Sequence, residues 1–160
     1  MQVRFLANLA PLPALPEQMP ERTVRIDRQW HGGRVLVAED NILLAEVICD
    51  FLRECGLEPV GPATTIGDAV AAAQDEPIDG AVLDLRLGRH FCFPACSTLM
   101  ARRVPFLFLT GYGDLSMIPV ELRAVPLICK PFDSAEMKSA LATMLRLDDD
   151  WSVLPGRLRN

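Results

Sequence analysis

A chain of 160 residues predicts one domain of the usual roughly 100–200 residues, with little length for a second. Half of its residues are hydrophobic and 23% are charged, which predicts a globular fold with a substantial core and excludes a disordered chain. Twenty-one acidic against sixteen basic residues give a net charge of −5, a poor basis for binding nucleic acid through a basic surface.

Residues 1–33 read as a Pro-rich flexible extension. Pro11, Pro13, Pro16 and Pro20 deny it regular hydrogen-bonded structure. They also interrupt the short apolar stretch 5–10, which makes a poor signal peptide. No apolar run approaches the roughly 20 residues of a membrane span, so the expected location is the cytoplasm, with no membrane partner.

The first strong element is RVLVA (34–38), an apolar run suited to a strand buried on both faces. A helical period follows, with Leu44, Val47, Ile48, Phe51, Leu52 and Cys55 on one face and Gly56 as the stop signal. Residues 58–61 form a second short strand. An Ala-rich helix over 66–74 is closed by Pro77, and GAVLD (80–84) is a further buried strand. A short helix over 94–102 opens on a proline. PFLFLT (105–110) and PLIC (126–129) are strands. Between them Gly111, Gly113 and Pro119 disfavour a full helix. A closing helix over 133–146 has Asp133 as N-cap and Glu136 three residues on. Residues 148–160 open with three Asp, contain Pro155-Gly156, and read as a C-terminal tail. Five strands alternating with helices across 34–147 predict an α/β fold with a doubly wound, five-stranded parallel sheet.

Five cysteines make an odd count without a CxxC pair. Cys49, Cys55 and Cys129 fall within apolar patterns and are expected as buried, reduced thiols. Cys92 and Cys96 are expected in a loop, where a redox pair is a minor alternative. The two His lie far from other candidate ligands, which argues against zinc.

Ligands of doubly wound sheets bind beyond the carboxyl ends of the strands. Those ends carry Glu39-Asp40 after the first strand, Asp84 after the third, Thr110 after the fourth and Lys130-Pro131 after the fifth. Any one of these residues is ordinarily a turn former, a cap or a solvated side chain; their concentration at successive carboxyl ends is the signal. Three neighbouring carboxylates repel and need a cation, and an all-oxygen set points to Mg²⁺. A cation leaves an Asp oxygen free to attack phosphorus. Mg²⁺, Lys130 and the Thr110 hydroxyl can then serve the three equatorial oxygens of the transition state. The pattern reads as a phosphoryl-accepting aspartate site.

The stretches VAEDN (37–41), VLDLRLG (82–88), FLTGYGD (108–114) and CKPF (129–132) resemble the receiver domain of two-component response regulators, the flavodoxin-like (βα)5 fold of CheY. The resemblance implies that Asp84 is the phosphoacceptor. It implies that Glu39, Asp40 and Asp84 hold Mg²⁺ together with the backbone carbonyl of Arg86. Thr110 becomes the switch hydroxyl, and Lys130, before a cis Pro131, the partner of the phosphoryl group. Tyr112 and Arg86 match positions that flank that group. The partners implied are a sensor histidine kinase or a histidine phosphotransferase. FLTGYG without an aromatic before KPF is similar to the FATGUY subfamily, whose members pair with HWE-type kinases. Leu127 stands where the common pattern has a Tyr or Phe switch. With neither flank long or basic enough for a DNA-binding domain, output is expected through protein contact, a phosphorelay or a phosphate sink.

Rival readings are weaker. A haloacid-dehalogenase-like phosphatase needs an acid two residues after its nucleophile, and Arg86 occupies that position. A pseudo-receiver that binds without being phosphorylated usually lacks an acidic residue or the lysine, and all are present. His90 lacks the helical setting of a phosphohistidine.

Overall fold

The structure, a computed structural model, describes residues 32–111 and 116–146. The N-terminal extension up to residue 31, Tyr112, Gly113 and the C-terminal tail lie outside the described residues.

Among the described residues, seven strands and four helices follow in chain order. They are β1 (Arg34–Ala38), α1 (Ile42–Glu54), β2 (Glu58–Ala63), α2 (Ile66–Asp75), β3 (Gly80–Asp84), β4 (Arg86–Leu87), β5 (His90–Phe91), α3 (Phe93–Arg102), β6 (Phe106–Thr110), β7 (Leu127–Cys129) and α4 (Ser134–Arg146). A 3-10 turn over Val120–Leu122 stands between β6 and β7, in agreement with the expected loss of a full helix there. The main sheet is parallel with order β2-β1-β3-β6-β7, the doubly wound arrangement. β4 and β5 form a separate two-residue antiparallel hairpin that the sequence reading did not anticipate.

The period-2 alternation of the strands divides the core. Leu36 and Ala38 of β1 face one side with Leu83 and Phe108, under α2 and α3. Val35 and Val37 face the other with Val82, Leu107 and Leu109, under α1 and α4. Burial on both faces explains why β1, β3 and β6 read as continuous apolar runs.

Helix α1 buries Ala45, Ile48, Cys49 and Leu52, with Leu44, Phe51 and Cys55 at the margin of the core. Val47, expected on the core face, is 58% exposed; the buried stripe is rotated toward Ala45 and Cys49. Gly56, with φ of +81°, ends the helix as expected. Strand β2 runs two residues longer than expected, through Gly61. That residue has φ of +103°, and an added Cβ would meet the Ala63 nitrogen at 2.8 Å and the Val37 oxygen at 2.9 Å. Only glycine fits this irregularity in the ladder. Cys92 and Cys96 are not in a loop: Cys92 precedes α3, Cys96 is within its first turn, and both are fully buried. Cys129 and Cys55 are half-buried, and all five thiols are free.

Candidate functional site

Two adjacent strands of the central sheet deliver the acidic groups. Glu39 and Asp40 follow β1 directly, and Asp84 is the last residue of the adjacent β3. One ligand oxygen from each lies within 4.8 Å of the others. Asn41 then starts α1: its side chain caps Leu44 N–H at 3.3 Å, and its own N–H donates to Glu39 Oε1 at 3.1 Å. This turn holds the Glu39 carboxylate at the sheet edge, where it is only 1% exposed.

Lys130 enters from the end of β7, before a cis peptide bond to Pro131. Its backbone N–H donates to the Thr110 carbonyl at 2.7 Å. Its ammonium bridges Glu39 Oε2 and Asp84 Oδ2, each at 2.6 Å. Burial alone would lower the Lys130 pKa, but its hydrogen bonds to Asp84 and Glu39 outweigh this and hold it above the ordinary 10.5. Burial raises the Glu39 carboxyl, and the Asp84 charge adds to the effect. Its bonds from Lys130 and Asn41 offset this only in part.

Two like unit charges about 5 Å apart repel by roughly 3 kcal/mol at an effective dielectric of about 20. Three carboxylates and one ammonium sum to −3 + 1 = −2. Lys130 therefore neutralises the cluster only partly, and a divalent cation would close the balance. The donors are all oxygen, which fits Mg²⁺.

The structure brings Glu39, Asp40, Asp84 and Lys130 together. Thr110, at the end of β6 beside β3, is fully buried, and its hydroxyl donates to the Gly111 carbonyl at 2.9 Å. It is at the edge of the cluster but turned onto its own backbone. Arg86 N–H donates to Asp84 Oδ1 at 3.0 Å, so its peptide lies against the acceptor carboxylate. His90 is exposed on the hairpin, outside any helix.

Two contributors were missed by the sequence reading. Asn41 is a recognisable N-cap signal that was read only as part of a motif. Gly88 N–H donates to Asp40 Oδ2 at 2.9 Å across 48 residues, and no local pattern announces such a contact. Beside Lys130 an open groove of about 450 Å³ is lined by Leu44, Val47, Pro131 and Phe132.

Residues 35–142 match the family model of the response regulator receiver domain. The transcriptional regulatory protein PdtaR of Mycobacterium tuberculosis is 29% identical over 128 residues, which are 78% of this chain and 62% of the relative's own length. The solution structure of SdrG from Sphingomonas melonis Fr1 has 36% identity and a TM-score of 0.64, covering 71% of this chain and 97% of that one. The receiver domain of sensor histidine kinase PA1611 from Pseudomonas aeruginosa PAO1 has 26% identity and a TM-score of 0.59, covering 72% and 98%. A magnesium ion is coordinated in the active site cleft of that structure.

Proposed function

This chain belongs to the response regulator receiver family, and we propose that it acts as a response regulator receiver that takes a phosphoryl group from a sensor histidine kinase, or a histidine phosphotransferase, onto Asp84. The unit that does this is residues 34–147, flanked by extensions over 1–33 and 148–160. The observation that carries the reading is the Lys130 ammonium bridging Glu39 and Asp84 within a three-carboxylate cluster at the carboxyl edge of a parallel sheet.

Glu39, Asp40, Asp84 and the Arg86 carbonyl would hold Mg²⁺. When bound, the ion supplies positive charge to the phosphoryl oxygens and relieves repulsion among the carboxylates. An Asp84 oxygen attacks the phosphorus of a phosphoimidazole. The new O–P bond forms as the P–N bond breaks, and its electron pair returns to the imidazole nitrogen. Lys130, already 2.6 Å from Asp84, pairs with a second phosphoryl oxygen. The Thr110 hydroxyl exchanges the Gly111 carbonyl for a third.

The exposed apolar side chains of Ile42, Leu43 and Val47 at the start of α1, together with the groove next to Lys130, offer a donor protein a surface beside Asp84. The sequence pattern favours an HWE-type kinase as that donor. On this reading the chain acts in the cytoplasm and signals by protein contact, in a relay or as a phosphate sink. A phosphotransfer profile against the histidine kinases of the source organism tests this. Rapid transfer from one kinase, abolished by Asp84→Asn, is expected; no transfer from any kinase in the presence of Mg²⁺ contradicts it.

A further inference from the structure

Asp40 stands apart from the other two carboxylates. Glu39 and Asp84 are buried and share the Lys130 ammonium, whereas Asp40 is exposed. An exposed aspartate ordinarily samples several rotamers. This one is held from across the chain by the Gly88 N–H, 2.9 Å from its Oδ2. Gly88 owes that aim to the β4–β5 hairpin. Leu87 pairs with His90, which leaves Gly88-Arg89 as a two-residue loop. Gly88 has φ of +63°, and Arg89 does not share the positive sign. A positive φ at the first central residue only is the II′ pattern, whose twist suits a two-residue hairpin. Such a turn bonds its first residue to its fourth and leaves the N–H of its first central residue free to donate elsewhere. A Cβ added at Gly88 meets nothing within 4 Å. A side chain there has room, and only the backbone conformation opposes it.

We propose that Gly88 is a positioning residue for the metal site: its left-handed turn aims a backbone N–H at Asp40 and fixes that carboxylate in place before Mg²⁺ arrives. The inference rests on the reading of Glu39, Asp40 and Asp84 as the carboxylates that hold the ion. Gly88 acts through Asp40 and supplies no ligand of its own. A carboxylate has about four lone-pair sites, so one N–H leaves oxygen free for a cation. With the rotamer already set, less side-chain freedom is lost on binding, and the gain appears as metal affinity.

The test is an NMR titration of the full chain with Mg²⁺, read from amide shifts. Gly88→Ala keeps the N–H but disfavours the positive φ, and it is expected to weaken Mg²⁺ binding roughly tenfold, the lower end of the loss when a metal ligand is deprived of its hydrogen-bond partner. Gly88→Asn, whose side chain tolerates the left-handed region, should recover most of the affinity. A second measurement needs no change at Gly88: in metal-free protein the Gly88 amide should exchange faster in Asp40→Ala than in wild type. Equal Mg²⁺ affinity in Gly88→Ala and wild type, an equal loss in Gly88→Ala and Gly88→Asn, or Gly88 exchange indifferent to Asp40→Ala overturns the positioning role while leaving the metal site. Failure of wild type to bind Mg²⁺ at all overturns the metal reading and this inference with it.

Discussion

Replacing Lys130 by Met isolates the electrostatic role of the ammonium, because Met keeps much of the apolar stem. The substitution leaves Glu39, 1% exposed, and Asp84, whose side chain is 10% exposed, as neighbouring carboxylates without their shared cation. Removing one partner of a buried ion pair costs about 3–5 kcal/mol. Lys130 retains 22% exposure, so the lower end applies, about 3 kcal/mol or roughly 10 °C in Tm for a unit of this size. Urea denaturation without metal measures it. The sign with pH follows from the raised Lys130 pKa: its stabilisation is fully present below 10.5 and is lost as pH rises through the higher folded value. The gap between wild type and Lys130→Met should therefore persist to pH 10.5 and close above it. Millimolar Mg²⁺ should stabilise the variant more than wild type, since in wild type the ion competes with the ammonium for the same carboxylates. A variant as stable as wild type without metal, or less responsive to Mg²⁺, refutes the reasoning.

Mg²⁺ should raise wild-type stability by about 1–2 kcal/mol at concentrations some tenfold above Kd, and Asp40→Ala should abolish most of that response; a melting curve indifferent to the ion in wild type counts against the metal site. Burial holds the Glu39 carboxyl above its ordinary 4.5, so metal-free wild type loses stability as pH rises from 4.5 through the folded value. Glu39→Gln does not titrate, and its stability relative to wild type should increase over that window and then level; a pH-independent difference contradicts the assignment. Leu127, half-buried against the core, has no ring to swing, so a beryllofluoride adduct on Asp84 should change amide exchange at Gly111 and Ser116–Val120. Equal protection there, with Leu127 changing burial instead, makes Leu127 the switch.

The sheet was legible chiefly through β1, β3 and β6, which are buried on both faces and therefore read as unbroken apolar runs between polar turns. Glu39, Asp40, Asp84 and Lys130 were legible for a related reason: in a parallel sheet every carboxyl end falls on one edge, so sequence order alone gathers them. Val47 was misassigned because helical spacing gives a period and not its phase; Ala45 and Cys49, weak as hydrophobic signals, set the buried face. The β4–β5 hairpin escaped notice because two-residue strands have no period, and its Gly88 contact with Asp40 joins residues 48 apart. The rotamer of Thr110 depends on the neighbouring Gly111 carbonyl, which residue identity does not encode.

The central claim is that Asp84 is the residue that accepts phosphate. Treating wild type with acetyl phosphate and Mg²⁺, reducing the acyl phosphate with borohydride and sequencing the peptides by mass spectrometry reads the modified residue directly. The account predicts reduction at Asp84 in wild type and no modified residue in Asp84→Asn. Modification of Asp40 or Glu39 instead, or none in wild type with any phosphodonor, contradicts it.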